Sequence, residues 1–239
     1  MIEIHKLTKR FGKFEVLREI TATFQSGKIT AIAGPNGSGK TTLIKIILGL
    51  VKADSGKVYV FGEVTNGDYQ YRRKIVSLDC GVLKEGYYGD CAVTYPVGQI
   101  NDMKERLLNV TQRALELGIE AAIEGNKVYD ISRAIQSFVE ANGFSVNREL
   151  VGHGIGKRLH EEPPIPNFVP PLLARRQYPN LKLLGNMTLA IEPMVNAGDY
   201  KVRTKEDGWT VITADGKPSA HFEHTIVVAK DKPIVLTYR

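Results

Sequence analysis

The chain has 239 residues, 43% hydrophobic and 24% charged, which suits one large globular domain or two small ones. It contains no run of about 18 apolar residues, only two cysteines (Cys80 and Cys91), and no basic segment followed by an apolar core at its start; a membrane-spanning helix and a disulfide scaffold are excluded, and a cytoplasmic protein without a secretory leader is expected. The formal charge of +6 is uneven, with 13 Lys and Arg against 6 Asp and Glu in residues 1–78 and 19 against 20 in residues 79–239, so it marks the first third of the chain and predicts no nucleic-acid partner.

In chain order, alternation of apolar and polar residues predicts strands over 2–7 and 14–24. A buried strand over 29–33 follows, then a glycine-rich loop, a helix over 40–50 with Leu43, Ile46, Ile47 and Leu50 on one face, a turn at Asp54-Ser55-Gly56 and a strand at 58–61. Residues 69–74 are basic and suit a helix start. From Ile75 the pattern becomes a hairpin with its turn at Lys84-Glu85-Gly86. Helices are predicted over roughly 100–118 and 128–142, the second stopped by Asn142-Gly143. A strand near 144–150 leads to Gly152-His153-Gly154. Five prolines in residues 161–171 predict an irregular surface excursion, and short strands with turns fill 187–237.

Gly34-Pro35-Asn36-Gly37-Ser38-Gly39-Lys40-Thr41 fits G-x-x-x-x-G-K-[ST] between a predicted strand and a helix. Backbone N–H groups in such a loop curl round phosphate oxygens, a lysine reaches the terminal phosphates, and a hydroxyl ligates Mg²⁺. With Thr42-Leu43, Leu7-Thr8-Lys9-Arg10-Phe11-Gly12 and Ala53-Asp54-Ser55-Gly56-Lys57-Val58, this run resembles the start of an ATP-binding-cassette ATPase. The resemblance implies nucleotide contacts from Phe11, Gly34, Pro35, Asn36, Gly37, Ser38, Gly39, Lys40, Thr41 and Thr42, with Phe11 stacked on adenine and ATP bound with Mg²⁺. The family's γ-phosphate Gln, LSGGQ signature, magnesium Asp, catalytic Glu and switch His have no counterpart after residue 75. Phosphoryl transfer needs groups that hold the metal and orient water, so binding without hydrolysis is expected. A membrane-transporter partner follows only if this segment works as a cassette.

The remainder carries a different chemistry. Asp79 and Asp90 flank the hairpin turn symmetrically, so a turn centred on Lys84-Glu85 sets them opposite each other, and a G1 bulge at Gly86 would shift this by one residue. Glu192 interrupts the apolar stretch Leu189-Ala190-Ile191, Glu223 precedes Thr225-Ile226-Val227-Val228, and His153 lies between glycines. Charges in buried strands are tolerated when paired or metal-bound. Four carboxylates and an imidazole suit two divalent cations, and oxygen-rich donors favour manganese, iron(II) or cobalt. Residues 76–237 resemble methionine aminopeptidase of the bacterial type. The resemblance implies a pita-bread α+β fold with a curved antiparallel sheet and peptide or nascent-protein N-termini beginning with Met as partners. It implies Asp79 on one metal, Asp90 and Glu223 bridging, and His153 and Glu192 completing the other. It further implies proton transfer by Glu192, contact of His160 with the scissile amide, and Trp209 beside the methionine pocket. Cys80 and Cys91, each one residue after an Asp, point to the opposite face of the sheet; His221 and His224 read as structural or second-sphere groups.

The sequence is thus expected to be a composite: an α/β phosphate-loop segment over 1–75, then the metal-ligand part of a methionine aminopeptidase over 76–239. The first half of the pita-bread fold is replaced, which would impair substrate positioning. The alternatives are an ATP-binding module with a scaffold attached, or a hybrid in which neither site works.

Overall fold

The computed structural model describes residues 1–25, 38–49, 51–60, 63–64 and 74–237. They group into two compact units, Met1–Lys74 with Pro96–Ile100, and Ile75–Tyr95 with Asn101–Arg239.

In the first unit, β1 (Ile2–Phe11) and β2 (Phe14–Phe24) form a hairpin longer than the alternation predicts. Helix α1 (Lys40–Ile47) and strands β3 (Ser55–Val60) and β4 (Glu63–Val64) follow. The sheet order is β2-β1-β3-β4 and every pair is antiparallel. Its core joins Ile4, Leu7, Leu17 and Val58 to Leu43 and Ile46 of α1; each fully buried Leu or Ile contributes about 1.5–3 kcal/mol. The predicted turn at 54–56 is corrected, since β3 already begins at Ser55, paired with Thr8. Asp54 enforces this by accepting hydrogen bonds from Lys9 Nζ (2.9 Å) and the Arg10 N–H (2.6 Å). The predicted strand at 29–33 and residues 69–73 lie outside the described residues. Lys74 opens a strand, where a helix start was expected.

The second unit holds β5 (Lys74–Lys84) from Ile75 and β6 (Tyr87–Val97) up to Tyr95, then α2 (Asp102–Ala121), α3 (Val128–Ala141), β7 (Ser145–Val146), β8 (Gly152–Gly154) and β9 (Glu161–Ile165). A 3-10 turn at Leu172–Ala174 precedes β10 (Thr188–Ile191), β11 (Met194–Asn196), β12 (Val202–Thr204), β13 (Val211–Thr213), β14 (Ser219–His221), β15 (Glu223–Val227) and β16 (Ile234–Val235). The main sheet runs β5-β6-β15-β10-β8-β9, with β16 also paired to β15. A three-stranded sheet, β14-β11-β7, and the hairpin β12-β13 accompany it. The Asn101 side chain caps α2 by accepting the Lys104 N–H. Buried faces on α2 (Leu107, Leu108, Ala114, Leu115) and α3 (Ile131, Ile135, Val139) form the helical layer.

Two expectations change here. The proline-rich stretch is not an irregular excursion: its first part is β9, with Ile165 fully buried and Phe168 nearly so. Proline cannot donate to a ladder, and β9 is the edge strand, where no outer neighbour needs the bond. The β5–β6 turn sits one residue later than predicted, at Glu85-Gly86, both with positive φ (53° and 85°), the conformation of a tight two-residue hairpin. Among the described residues no helix is long and apolar enough to cross a membrane.

Candidate metal centre

Neighbouring strands of the main sheet deliver the acidic and imidazole groups in order. From the edge inward come Asp79 on β5, Asp90 on β6, Glu223 on β15, Glu192 just past β10, and His153 on β8. The registers explain the shared face. Ala92 pairs with Glu223, Ile191 with His224, and Ala190 with His153. Residues two apart along a strand share a face, so Asp90 goes with Ala92, and Glu192 goes with Ala190 and His153. His224 and Cys91, which pair with each other, take the reverse face; Cys91 is half-buried there and burial pushes its thiol up to about 11.

The displaced hairpin turn alters one expectation. Ser77 and Thr94 exchange a 2.7 Å hydroxyl contact, and a side chain built on Gly81 would reach the Asp90 carboxylate. Asp90 therefore lies opposite Gly81, and Asp79 is its diagonal neighbour. Asp79 is exposed, whereas Asp90, His153, Glu192 and Glu223 are all below 10% exposure.

Local features hold these groups. The Thr225 hydroxyl accepts the Asp90 N–H and donates to the Asp90 carbonyl, both at 2.8 Å, locking β6 to β15 at the site. The Asn167 side chain donates to the Glu192 carbonyl at 3.0 Å. A Cβ on Gly154 would strike the Glu162 carbonyl, and one on Gly152 the Ala190 carbonyl. Glycine on both sides is what admits His153 between two closely approaching strands. His153 Nδ1 donates to the Gly154 carbonyl at 2.9 Å, which turns Nε2 toward Glu192 Oε1, 3.5 Å away. His160 stacks edge-on against His153, ring centroids 4.4 Å apart, from an exposed position.

The electrostatics are those of anions without a counter-charge. Burial, then Glu192 and Asp90, pushes the Glu223 carboxyl up to about 10. Burial, then Asp79 and Glu192, raises Asp90 to about 6. Burial lowers His153, which favours the neutral imidazole that ligates metals. Asp90 Oδ1, Glu223 Oε1 and His221 Nε2 are buried without a hydrogen-bond partner. Two groups of ligand atoms lie within 4.8 Å of one another, Asp90–His153–Glu223 and Glu192–His221–Glu223. Cations would satisfy the orphaned atoms and offset the buried charge, so the residues present fit a divalent-metal centre.

The structure thus brings together Asp90, His153, Glu192 and Glu223, with Asp79 and His160 at the margin. Trp209 lies in the β12–β13 turn, 59% exposed, its N–H donating to Asp207 Oδ1. His221, with Nε2 3.5 Å from Glu192 Oε2, was missed as a candidate. The available signal was its spacing from Glu223, two residues along an extended stretch. Of the nucleotide candidates, Gly34, Pro35, Asn36 and Gly37 lie outside the described residues. Gly39 caps α1 with φ 92°, Lys40 Nζ contacts Ser38 Oγ at 3.4 Å, Thr41 and Thr42 lie in the first turn of α1, and Phe11 is half-exposed beneath Lys9 Nζ.

Comparison with known proteins places these observations. Residues 49–230 match metallopeptidase family M24, and residues 8–59 match an AAA domain. The chain is 49% identical to a methionine aminopeptidase of Clostridium perfringens over 73% of its own length and 66% of that protein's. It is 43% identical to methionine aminopeptidase 1 of Bacillus subtilis over 98% of its length and 84% of that protein's. The crystal structure of methionine aminopeptidase from Thermotoga maritima superposes with a TM-score of 0.64 at 46% identity, covering 69% of this chain and 64% of that one. The chain therefore spans just under two thirds of two of these relatives. The antiparallel main sheet and its helices are the pita-bread fold.

Proposed function

The chain belongs to metallopeptidase family M24, and from that premise we propose that it is a dinuclear-metal aminopeptidase that removes N-terminal methionine from peptides or nascent proteins. The observation that carries this reading is the buried set Asp90, His153, Glu192 and Glu223, aligned on one sheet face with orphaned ligand atoms.

Asp90, Glu223, His153 and Glu192, with Asp79 at the rim, would hold two divalent cations, manganese, iron(II) or cobalt by the oxygen-rich, thiolate-free donor set. When bound, the cations supply Lewis acidity, polarising the scissile carbonyl and lowering the pKa of water. The chain's own groups do the rest. Glu192 accepts the proton of the attacking water and returns it to the departing amine. His160, exposed beside His153, donates to the scissile amide and orients it. Trp209 offers an aromatic surface to the methionine side chain. Full-length protein stripped of metal and reloaded with Mn²⁺ or Co²⁺ is expected to release free methionine from a Met-Ala-Ser peptide. A chelator, or Glu192→Gln, abolishes the release. No methionine from the loaded protein would overturn the reading.

The AAA match over 8–59 favours a second reading, in which the first segment binds ATP with Mg²⁺ through Gly34–Thr41 and the chain is a composite. The two family matches share residues 49–59, while the alignment to the Bacillus subtilis protein over 98% of the chain favours a peptidase throughout. Mg²⁺-dependent ATP binding that is lost in Lys40→Ala, with methionine release unchanged, would support the second reading. Its absence in the unmodified chain would end it.

A further inference from the structure

We propose that Cys80 and Cys91 are a peroxide-responsive thiol pair, Cys80 reacting first, that closes to a disulfide across the β5–β6 hairpin. The inference goes beyond the metallopeptidase reading and does not depend on it.

The hairpin register sets the two residues opposite each other. Its turn lies at Glu85-Gly86, Gly81 faces the Asp90 carboxylate, and the Ser77 and Thr94 hydroxyls meet at 2.7 Å. One step further from the turn than Gly81 and Asp90, Cys80 meets Cys91. Cys91 Sγ stands 4.0 Å from the Cys80 carbonyl oxygen. Directly opposed residues of an antiparallel pair have Cα atoms about 4.5–5.5 Å apart, inside the about 4.4–6.8 Å that a disulfide spans. Their Cβ atoms, about 4.5–5.5 Å apart, must draw in to about 3.5–4.5 Å, so one strand has to yield. β5 is the edge of the main sheet and is the strand free to do so. These are the only two cysteines of the chain, so a bond within it has one possible pairing.

Both sulfurs lie on the face opposite the carboxylates. Cys80 is exposed and Cys91 is only partly so, which lets an oxidant in solvent reach Cys80 first. Hydrogen peroxide supplies the oxidising equivalents. The Cys80 sulfur attacks one peroxide oxygen, the O–O bond breaks, and Cys80 becomes a sulfenic acid as water leaves. The Cys91 sulfur then attacks the Cys80 sulfur, the S–O bond breaks, and the hydroxyl departs as a second water with the Cys91 proton. The two thiols give up two electrons in all, and one peroxide is reduced to two waters. In a reducing compartment such a bond is transient and is reversed by dithiols. While closed it ties the edge strand that carries Asp79 to the strand that carries Asp90.

The test treats full-length protein, as purified and again after chelation, with a few equivalents of hydrogen peroxide and then an alkylating reagent. Intact and peptide masses are read. Wild type is expected to lose two hydrogen atoms, to take up no alkyl group and to yield a peptide pair linked from Cys80 to Cys91. A dithiol reductant restores both thiols. Cys91→Ser leaves the sulfenic acid unresolved, so Cys80 is trapped by dimedone and proceeds to the sulfinic acid. Cys80→Ser slows loss of the remaining thiol by about 10-fold or more. A wild type that gains oxygen at Cys80 while Cys91 stays open to alkylation would overturn the inference, as would linkage only between two chains. Equal rates of thiol loss in Cys80→Ser and Cys91→Ser would remove the leading role of Cys80 and overturn it as well. None of these outcomes bears on whether the opposite face takes up cations.

Discussion

The four-stranded sheet of the first unit and the main sheet of the second place their charges in opposite ways. In the first, the core is wholly aliphatic and the ionic contacts, Lys9–Asp54, Arg10–Glu15 and Arg18–Glu15, lie at the surface. Such pairs are worth little, because water already solvates both partners and salt screens them. In the second, three carboxylates and an imidazole lie below 10% exposure on one face of a sheet whose reverse face buries Leu189, Ile191 and Ile226. Charges there cost several kcal/mol each unless something compensates them. The contrast shows where to look for chemistry: a fold keeps buried like charges only where a counter-charge is part of its working form.

Glu223→Gln should break this contrast most. Metal affinity is expected to fall by on the order of 100-fold or more, since both ligand groups lose their shared member. The metal-free fold should barely change at pH 7, because the Glu223 carboxyl, raised to about 10, is already protonated there. Between its ordinary 4.5 and about 10, the folded chain holds a proton that the unfolded chain releases. The contribution of this group to metal-free stability is therefore fully present below 4.5 and is lost as the pH rises toward 10. Urea melts across that range should show the slope in wild type and a flatter one in Glu223→Gln.

Next in size is Gly154→Ala. The added methyl meets the Glu162 carbonyl, and a loss of about 1–3 kcal/mol is expected in the urea midpoint. Thr225→Val follows, removing both hydrogen bonds to the Asp90 backbone for about 1–2 kcal/mol, with metal binding weakened through the shift of Asp90. Smallest is Asp54→Asn on the surface of the first unit. Lys9, then the Arg10 N–H, hold that carboxyl below its usual range, so its contribution is present at neutral pH and lost on acidification. A resolvable effect of Asp54→Asn on metal binding would contradict the division drawn between the two sheets.

The sequence made part of this legible for a physical reason. Glu192 and Glu223 stand out because strand alternation identifies a buried face and a carboxylate on it is anomalous. His153 stands out because its glycine neighbours announce a close approach of backbones. The Asp79–Asp90 pairing was legible only to within one residue, because hairpin register turns on which residues adopt positive φ, here Glu85 and Gly86. The prolines of 161–171 hid β9 because edge position is a property of topology that local pattern does not encode. His221 escaped because its strand is held by Thr94, 127 residues away in the chain, a contact that local pattern does not encode.

The central claim is that the buried carboxylate–imidazole face is a two-cation centre. Anomalous scattering from crystals of the full chain grown with Mn²⁺ tests it most directly. Two peaks about 3.5–4 Å apart are expected, both on the face shared by Asp90, His153, Glu192 and Glu223, with Asp79 at its rim. An anomalous map with no peak on this face, or with peaks only at surface carboxylates, would contradict the account.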